Sequence, residues 1–153
     1  MSLKQPVNVW YDSDIPGLID SNVSGTISQT TVFPQIFDYG DYVLRMRIYD
    51  QAPATKNLTN VSSFSMEIGE LGGEVFITAN NASFNSSADW SLVNVGSGQI
   101  SVRFDSNVAA LSADLGTSTW KQYYCEILGS NTTTGDTLTV MVCPIRIRNT
   151  VGI

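Results

Sequence analysis

Apolar and polar side chains alternate with a period of two residues along much of this chain. The clearest runs are residues 41–50 and 98–105. Successive side chains of a β-strand point to opposite faces, so each run predicts a strand with one face in a core. The apolar positions of these two runs are Tyr42, Leu44, Met46, Ile48, Ile100, Val102 and Phe104.

A hairpin is predicted near the end of the chain. Residues 120–128 and 137–143 are rich in β-branched and aromatic residues, as strands are. Residues 129–136 between them are polar and contain glycines, which is typical of a hairpin loop. The second strand is apolar on both faces, so we expect it to be central in its sheet or covered on both sides. Pro144 cannot donate to a strand ladder, so we expect it at a bulge, an edge or a point of departure from the neighbouring strand.

Weaker alternation predicts further strands at residues 7–12, 22–33, 63–68 and 74–79, with a turn at 34–40 and a long polar loop at 80–97. Residues 108–115 are expected to form one helical turn. The pattern predicts an all-β protein, an antiparallel β-sandwich of about seven to nine strands. With 153 residues, the chain is most simply a single domain over residues 1–153. A chain of this length buries enough surface to fold without a disulfide or a metal ion.

Charge and hydropathy exclude two classes of protein. The net charge is −6, and the eight Lys and Arg residues are scattered, which argues against nucleic-acid binding. The densest basic group, formed by Arg45, Arg47, Arg146 and Arg148, is predicted to occupy outward strand positions. No apolar run approaches the ~20 residues of a membrane span. The first residues lack the apolar region of a signal peptide, so none is expected.

Cys125 and Cys143 fall on the two strands of the predicted hairpin, which places them near each other. A disulfide between them is geometrically possible. A reduced, buried pair is favoured, because free cysteine is among the most buried residue types and cytosolic thiols stay reduced.

The chain contains no histidine, which removes the commonest general base, the Ser-His-Asp triad and most zinc sites. Two carboxylates can hydrolyse glycosides, but nothing in the sequence pairs the candidates, which are Glu67, Glu70, Glu74 and Glu126. Asp12, Asp14 and Asp20 surround a predicted turn, where capping in solvent is favoured over calcium binding. We therefore predict a non-enzymatic protein with no catalytic residues, no cofactor and no metal.

Four aromatic residues are candidates for stacking on a sugar ring if they are exposed. For Trp90, anchoring of the polar loop on the core is favoured over stacking. The four candidates are Trp10, Tyr11, Trp90 and Trp120. The sequence Asn-X-Ser/Thr recurs, but glycosylation is not expected in a chain so rich in these residues. Its positions are Asn22, Asn57, Asn60, Asn81, Asn85 and Asn131.

Three motifs follow one another between residues 40 and 149. They are a Gly-Asp pair that opens a strand (residues 40–48), a G-h-x-h-x-h strand with an apolar turn after it (98–111), and a Y-x-h-x-h hairpin with Gly-Asp in its loop (123–143). This order resembles the N-terminal Ig-like module of phage baseplate upper proteins and related tail-fibre domains.

The resemblance implies an Ig-like sandwich in a non-enzymatic virion or prophage component. Such a component joins a tail assembly to its receptor-binding parts, as a homo-oligomer in contact with other tail proteins. Its location would be the virion, or the bacterial cytoplasm before assembly. Two alternatives stay open, a carbohydrate-binding sandwich that takes a glycan, and an adhesion domain on the extracellular surface that contacts other surface proteins.

Overall fold

The structure is a computed structural model that describes residues 5–14, 16–23, 26–29, 33–52, 54–81, 90–131 and 133–150. Within these ranges, residues 20–23, 26–29, 80–81 and 91–93 are described by their backbone alone. The described residues form two β-sheets, one α-helix, α1 (Ala109–Leu115), and one turn of 3-10 helix at Val95–Ser97.

The strands of the two sheets come from distant parts of the chain. In spatial order, the first sheet contains β3 (Thr26–Gln29), β2 (Gly17–Val23), β1 (Gln5–Asp12), β5 (Asp41–Tyr49), β9 (Gln99–Asp105) and β8 (Trp90–Asn94). The second sheet contains β4 (Gln35–Phe37), β11 (Thr137–Arg148), β10 (Trp120–Ser130), β6 (Ser63–Gly69) and β7 (Val75–Asn81).

The predicted all-β sandwich is confirmed. Four strands of the first sheet and five of the second make a body of nine strands, and the β2–β3 hairpin continues the first sheet beyond β1. Both sheets are mixed, because β1 pairs with β5 in parallel and β4 pairs with β11 in parallel. The other strand pairs are antiparallel.

One hydrophobic cluster joins the inner faces of the two sheets. The alternating apolar positions predicted for β5 and β9 are all buried, and the outward positions between them are more polar. Leu111 and Leu115, one helical turn apart on α1, add to this cluster and are fully buried. The helix makes about two turns, one more than the sequence predicts.

Among the described strands, β11 has a neighbour on both sides only at its end. It pairs with β10 from Thr137 to Arg148, whereas β4 covers only Arg146–Arg148. The amide of Arg146 donates to Pro34 at 2.9 Å, on the β4 side. Backbone groups of alternate residues point to the same side, so the nitrogen of Pro144 faces the open edge, where no ladder bond is lost.

Val142, two residues before Pro144, is the next position of β11 whose backbone amide faces this edge. The backbone amide of Val142 donates a hydrogen bond to the Tyr11 hydroxyl oxygen of β1. Burial raises the pKa of Tyr11 above its ordinary value. A proline and a side-chain hydrogen bond therefore occupy two successive outward positions of β11.

Two predicted irregular segments contain strands. The segment 34–40 includes the short strand β4, and the end of the segment 80–97 is strand β8. Trp90 explains the second difference, because its ring stacks on Phe64 at 5.5 Å between centroids and holds this part of the chain against the core. Residues 82–89 of the predicted loop lie outside the described residues.

Cys125 and Cys143 are direct register partners on β10 and β11, and both side chains are buried. Their thiols are free, as the sequence favours. The hydrogen bond that Cys125 donates to the neighbouring Cys143 thiol, together with burial, raises the pKa of Cys125 well above its ordinary value. Cys125 is therefore a neutral part of the core.

Candidate functional surfaces

The structure separates the four aromatic candidates into two groups. Tyr11 and Trp90 are only 4% and 5% exposed, so their rings belong to the core and offer no face to a sugar. This corrects the stacking hypothesis for these two residues and agrees with the anchoring expected of Trp90. Trp10 is half-buried and Trp120 is 42% exposed, and the two lie on different sheets.

Trp10 belongs to a depression on the outer face of the first sheet, where β1, β5 and β9 lie side by side. The depression has a volume of about 540 Å³. Two rows of register partners cross it, Trp10 beside Arg47 and Gln99, and Asn8 beside Arg45 and Ser101. Its lining residues are Asn8, Val9, Trp10, Val43, Arg45, Met46, Arg47, Gln99, Ile100 and Ser101.

The strand pattern explains the chemistry of this depression. Met46 and its inward neighbours are apolar and fill the core, so every second side chain of β5 points outward, among them Arg45 and Arg47. Each residue that lines the depression is neutral or basic. A basic site therefore lies on the surface of a protein whose net charge is −6.

Trp120 belongs to a second surface, on the outer face of the second sheet. Trp120 of β10, Arg148 of β11 and Phe37 of β4 are register partners in one row across three strands. The Arg146 guanidinium lies 3.9 Å from the centroid of the Trp120 ring. We call these four residues, Phe37, Trp120, Arg146 and Arg148, the aromatic–arginine patch.

The aromatic–arginine patch has the composition of a protein interface. Phe37 and Trp120 are 37% and 42% exposed, and Tyr39, two residues after Phe37, is 66% exposed. Aromatic residues and arginine are enriched at interfaces, and tryptophan and arginine in particular among the residues that carry most binding energy. Because Arg146 already covers one face of Trp120, this ring is a poorer platform for a sugar than Trp10.

The structure pairs two of the four glutamates, which the sequence could not do. Glu67 of β6 and Glu126 of β10 are register partners. They stand on the outer face of the second sheet, apart from the depression, which lies on the first sheet. Like charges in this position destabilise a sheet slightly. Glu70 and Glu74 flank a turn, in which the amide of Glu70 donates to the carbonyl of Glu74 at 2.8 Å.

The acidic residues predicted to cap turns include one that does so. The Asp12 carboxylate accepts hydrogen bonds from the amides of Asp14, at 2.9 Å, and Ala52, at 3.2 Å. The side chain of Asp20 lies outside the described residues. Within the part of the chain that the structure describes, no three Cys, Asp or Glu side chains are grouped to hold a metal ion, and no helix is long and apolar enough to cross a membrane.

One ionisable cluster connects α1 with β10. The Tyr123 hydroxyl donates to the Asp114 carboxylate at 2.6 Å, and the Lys121 ammonium lies 3.3 Å from the same oxygen. Burial and this hydrogen bond raise the pKa of Tyr123, and the hydrogen bond from Tyr123 lowers the pKa of Asp114. Tyr123 is 1% exposed, so its hydroxyl is closed to a substrate and its hydrogen bond to Asp114 stabilises the fold.

The Tyr123→Phe variant is expected to unfold more easily by about 1–2 kcal/mol at neutral pH, because a hydrogen bond to a charged group is lost. The lowered pKa of Asp114 means that its contribution is lost as pH falls through the folded-state pKa. The raised pKa of Tyr123 means that its contribution is complete below the unfolded value of about 10 and is lost as pH rises through the folded-state pKa. Urea unfolding of both proteins between pH 2 and 8 measures the difference.

Tyr124→Phe is the matched control. Its hydroxyl is at an outward position of the same strand and accepts a 3.1 Å hydrogen bond from Gln122 in an exposed pair. We expect a change of less than about 0.5 kcal/mol. Equal losses in the two variants, or a Tyr123→Phe loss that stays constant down to pH 2, would contradict the role of the Asp114 pair.

No protein-family model matches the chain, and no curated protein matches it. Among solved structures, the N-terminal domain of phage TP901-1 ORF48 is similar, with a TM-score of 0.40 and 11% sequence identity over 95% of this chain and 97% of that chain.

Proposed function

We propose that this chain is a non-enzymatic structural module of a phage or prophage tail, which helps to assemble a baseplate or fibre and to position its receptor-binding parts. The proposal is supported by the sequence motifs of residues 40–149, which fall on β5, on β9 and on the β10–β11 hairpin. Its location would be the virion, or the bacterial cytoplasm before assembly, and residues 1–153 would act as one domain.

The observation that carries an assembly role is the aromatic–arginine patch. Its row of Trp120, Arg148 and Phe37 is held by the backbone ladders of three strands, which fix the spacing of the three residues. Arg146 stacked on Trp120 restricts both groups further. A rigid, exposed group of aromatic and arginine side chains is suited to protein–protein contact.

We infer that the patch contacts a second copy of this chain. Symmetric homo-oligomers are the commonest assemblies, and a two-fold contact needs only one self-complementary surface. Trp120 and Phe37 offer apolar area to such a contact, and both arginines can bind carboxylates or carbonyls of the neighbouring copy.

Light scattering coupled to gel filtration tests this proposal. We expect a concentration-dependent oligomer for the wild type, and at least about tenfold weaker association for Trp120→Ala and for Arg148→Glu, which corresponds to the loss of one important interface residue. Leu138→Ala is the matched control, because Leu138 is 39% exposed on the same strand β11 but outside the patch.

Two results would count against the assembly role. One is a wild type that stays monomeric at every concentration, with and without reductant. The other is an oligomer that Leu138→Ala weakens as much as Trp120→Ala, since the contact would then lie elsewhere.

A carbohydrate-binding module is the second candidate. The observation that favours it is Trp10, which is half-buried at the side of a depression of about 540 Å³. Titration of a glycan panel against tryptophan fluorescence tests it, and an unchanged signal across the panel would exclude it.

A further inference from the structure

We propose that the depression on the first sheet binds an acidic saccharide, with a sugar ring against Trp10 and the acidic group against Arg45 and Arg47. The inference rests on the carbohydrate-binding candidate and is independent of the aromatic–arginine patch. The shared chemistry of the ligand is a carboxylate or phosphate carried by a sugar.

The two arginines are available for an anion. Arg45 and Arg47 are both exposed and lie on the same face of β5, about 7 Å apart along the strand. Neither takes part in an ion pair or a side-chain hydrogen bond within the described part of the chain. Arg103 of the neighbouring strand differs, because its guanidinium is held by Asp41 at 2.9 Å.

The charge of the surroundings also selects an anion. Among the described residues, no carboxylate lines the depression, and the Asp12 carboxylate accepts hydrogen bonds from the backbone amides of Asp14 and Ala52. Guanidinium groups bind carboxylate and phosphate oxygens in pairs, with geometry that a lone ammonium lacks. Two arginines are too few for a nucleic-acid surface, which needs an extended basic stripe.

The rest of the lining fits a sugar ring. Trp10 is the register partner of Arg47, so the indole and the guanidinium are neighbours across two strands. The amide side chains of Asn8 and Gln99 each offer both donors and an acceptor to hydroxyl groups. The volume of about 540 Å³ lies in the usual range of small-molecule sites, about 300–1,000 Å³. An aromatic wall, amides and a cationic pair together favour an acidic sugar over an acidic peptide.

Titrations followed by the indole N–H signals in two-dimensional NMR test the proposal, because the chain has three tryptophans and only Trp10 lines the depression. The probes are trigalacturonic acid, glucose 1-phosphate, neutral maltotriose, inorganic phosphate and a hexaglutamate peptide. We expect the Trp10 signal to shift with one or both acidic sugars, at lower concentration than with any other probe. The comparison of the two acidic sugars identifies the carboxylate or the phosphate as the preferred group.

Variants locate the binding. Arg45→Gln and Arg47→Gln are each expected to weaken binding of the acidic sugar about tenfold, the effect of losing one charge-assisted hydrogen bond of about 1.4 kcal/mol. Lys121→Gln removes one positive charge from the second sheet, outside the aromatic–arginine patch. It is the matched control and should leave the affinity unchanged. Both substituted arginines are exposed, so the variants are expected to keep the fold, which the dispersion of their amide spectra checks.

Several results would overturn the inference. One is an unmoved Trp10 signal with both acidic sugars. Another is an affinity for maltotriose, phosphate or hexaglutamate equal to that for the acidic sugars. The last is a Lys121→Gln variant that weakens binding as much as the two arginine variants do. None of these results bears on the light-scattering test, so failure of the acidic-saccharide site leaves the assembly role standing.

Discussion

We expect the Gly98→Ala variant to lose about 2–5 kcal/mol of unfolding free energy. Gly98 has a φ of +70°, where a residue with a Cβ is strained. An added Cβ would also lie 2.4 Å from the carbonyl oxygen of Ile48 and 2.9 Å from that of Lys56. Both contacts are with backbone. The Gly98 carbonyl accepts the amide of Ile48 at 2.9 Å, so the two chain segments cannot separate without losing this bond.

Gly72→Ala is the matched control, because Gly72 has the same φ of +70° but nothing within 4 Å of an added Cβ. In Gly72→Ala the only cost is backbone strain, which should lower the unfolding free energy by about 1–2 kcal/mol. Chemical denaturation of the wild type and both variants measures the difference. Equal losses would show that the close approach at Gly98 relaxes at no cost.

Leu111→Ala is expected to lower the unfolding free energy by about 2–5 kcal/mol, the range for removal of a fully buried leucine side chain. Leu111 is 0% exposed and, with Leu115, provides the buried side of α1. The helix has only seven residues, so packing against the core rather than its own hydrogen bonds must stabilise it. Loss of Leu111 should therefore release the whole helix.

Leu71→Ala provides the same substitution at a surface position, since Leu71 is 68% exposed. A change within about 0.5 kcal/mol is expected there. Hydrogen exchange adds a second readout, and faster exchange of the amides of residues 109–115 in Leu111→Ala is expected. Similar stability losses in the two leucine variants would argue against the packing of α1.

The sequence predicts β5, β6, β9, β10 and the first part of β11 well. Each has an apolar inner face, and successive side chains point to opposite faces with a period of two residues. It is less informative where a strand is short or its burial depends on distant partners. Strand β4 has three residues, and its place beside β11 follows from the parallel pairing of Gln35–Phe37 with Arg146–Arg148. No local pattern encodes that pairing. The Ig-like topology and the homo-oligomer stay predictions.

The candidate surfaces were less predictable than the fold. Trp10 and Trp120 are distinguishable from Tyr11 only after the sheets are placed, whereas the sequence already favours a Trp90 anchored on the core. The aromatic–arginine patch joins three strands, and the depression joins three others. The sequence predicts the outward direction of Arg45 and Arg47, since they alternate with buried residues, but it gives no sign that Trp10 lies beside them.

Pro144 and the Tyr11–Val142 hydrogen bond have a consequence for how copies of this chain can associate. Growth of fibres by strand addition needs a continuous row of free amides and carbonyls. On β11 that row lacks a donor at Pro144, and the Val142 amide already donates to the Tyr11 hydroxyl. Open-ended polymerisation by strand addition is therefore disfavoured at this edge, whichever surface of the chain contacts a partner.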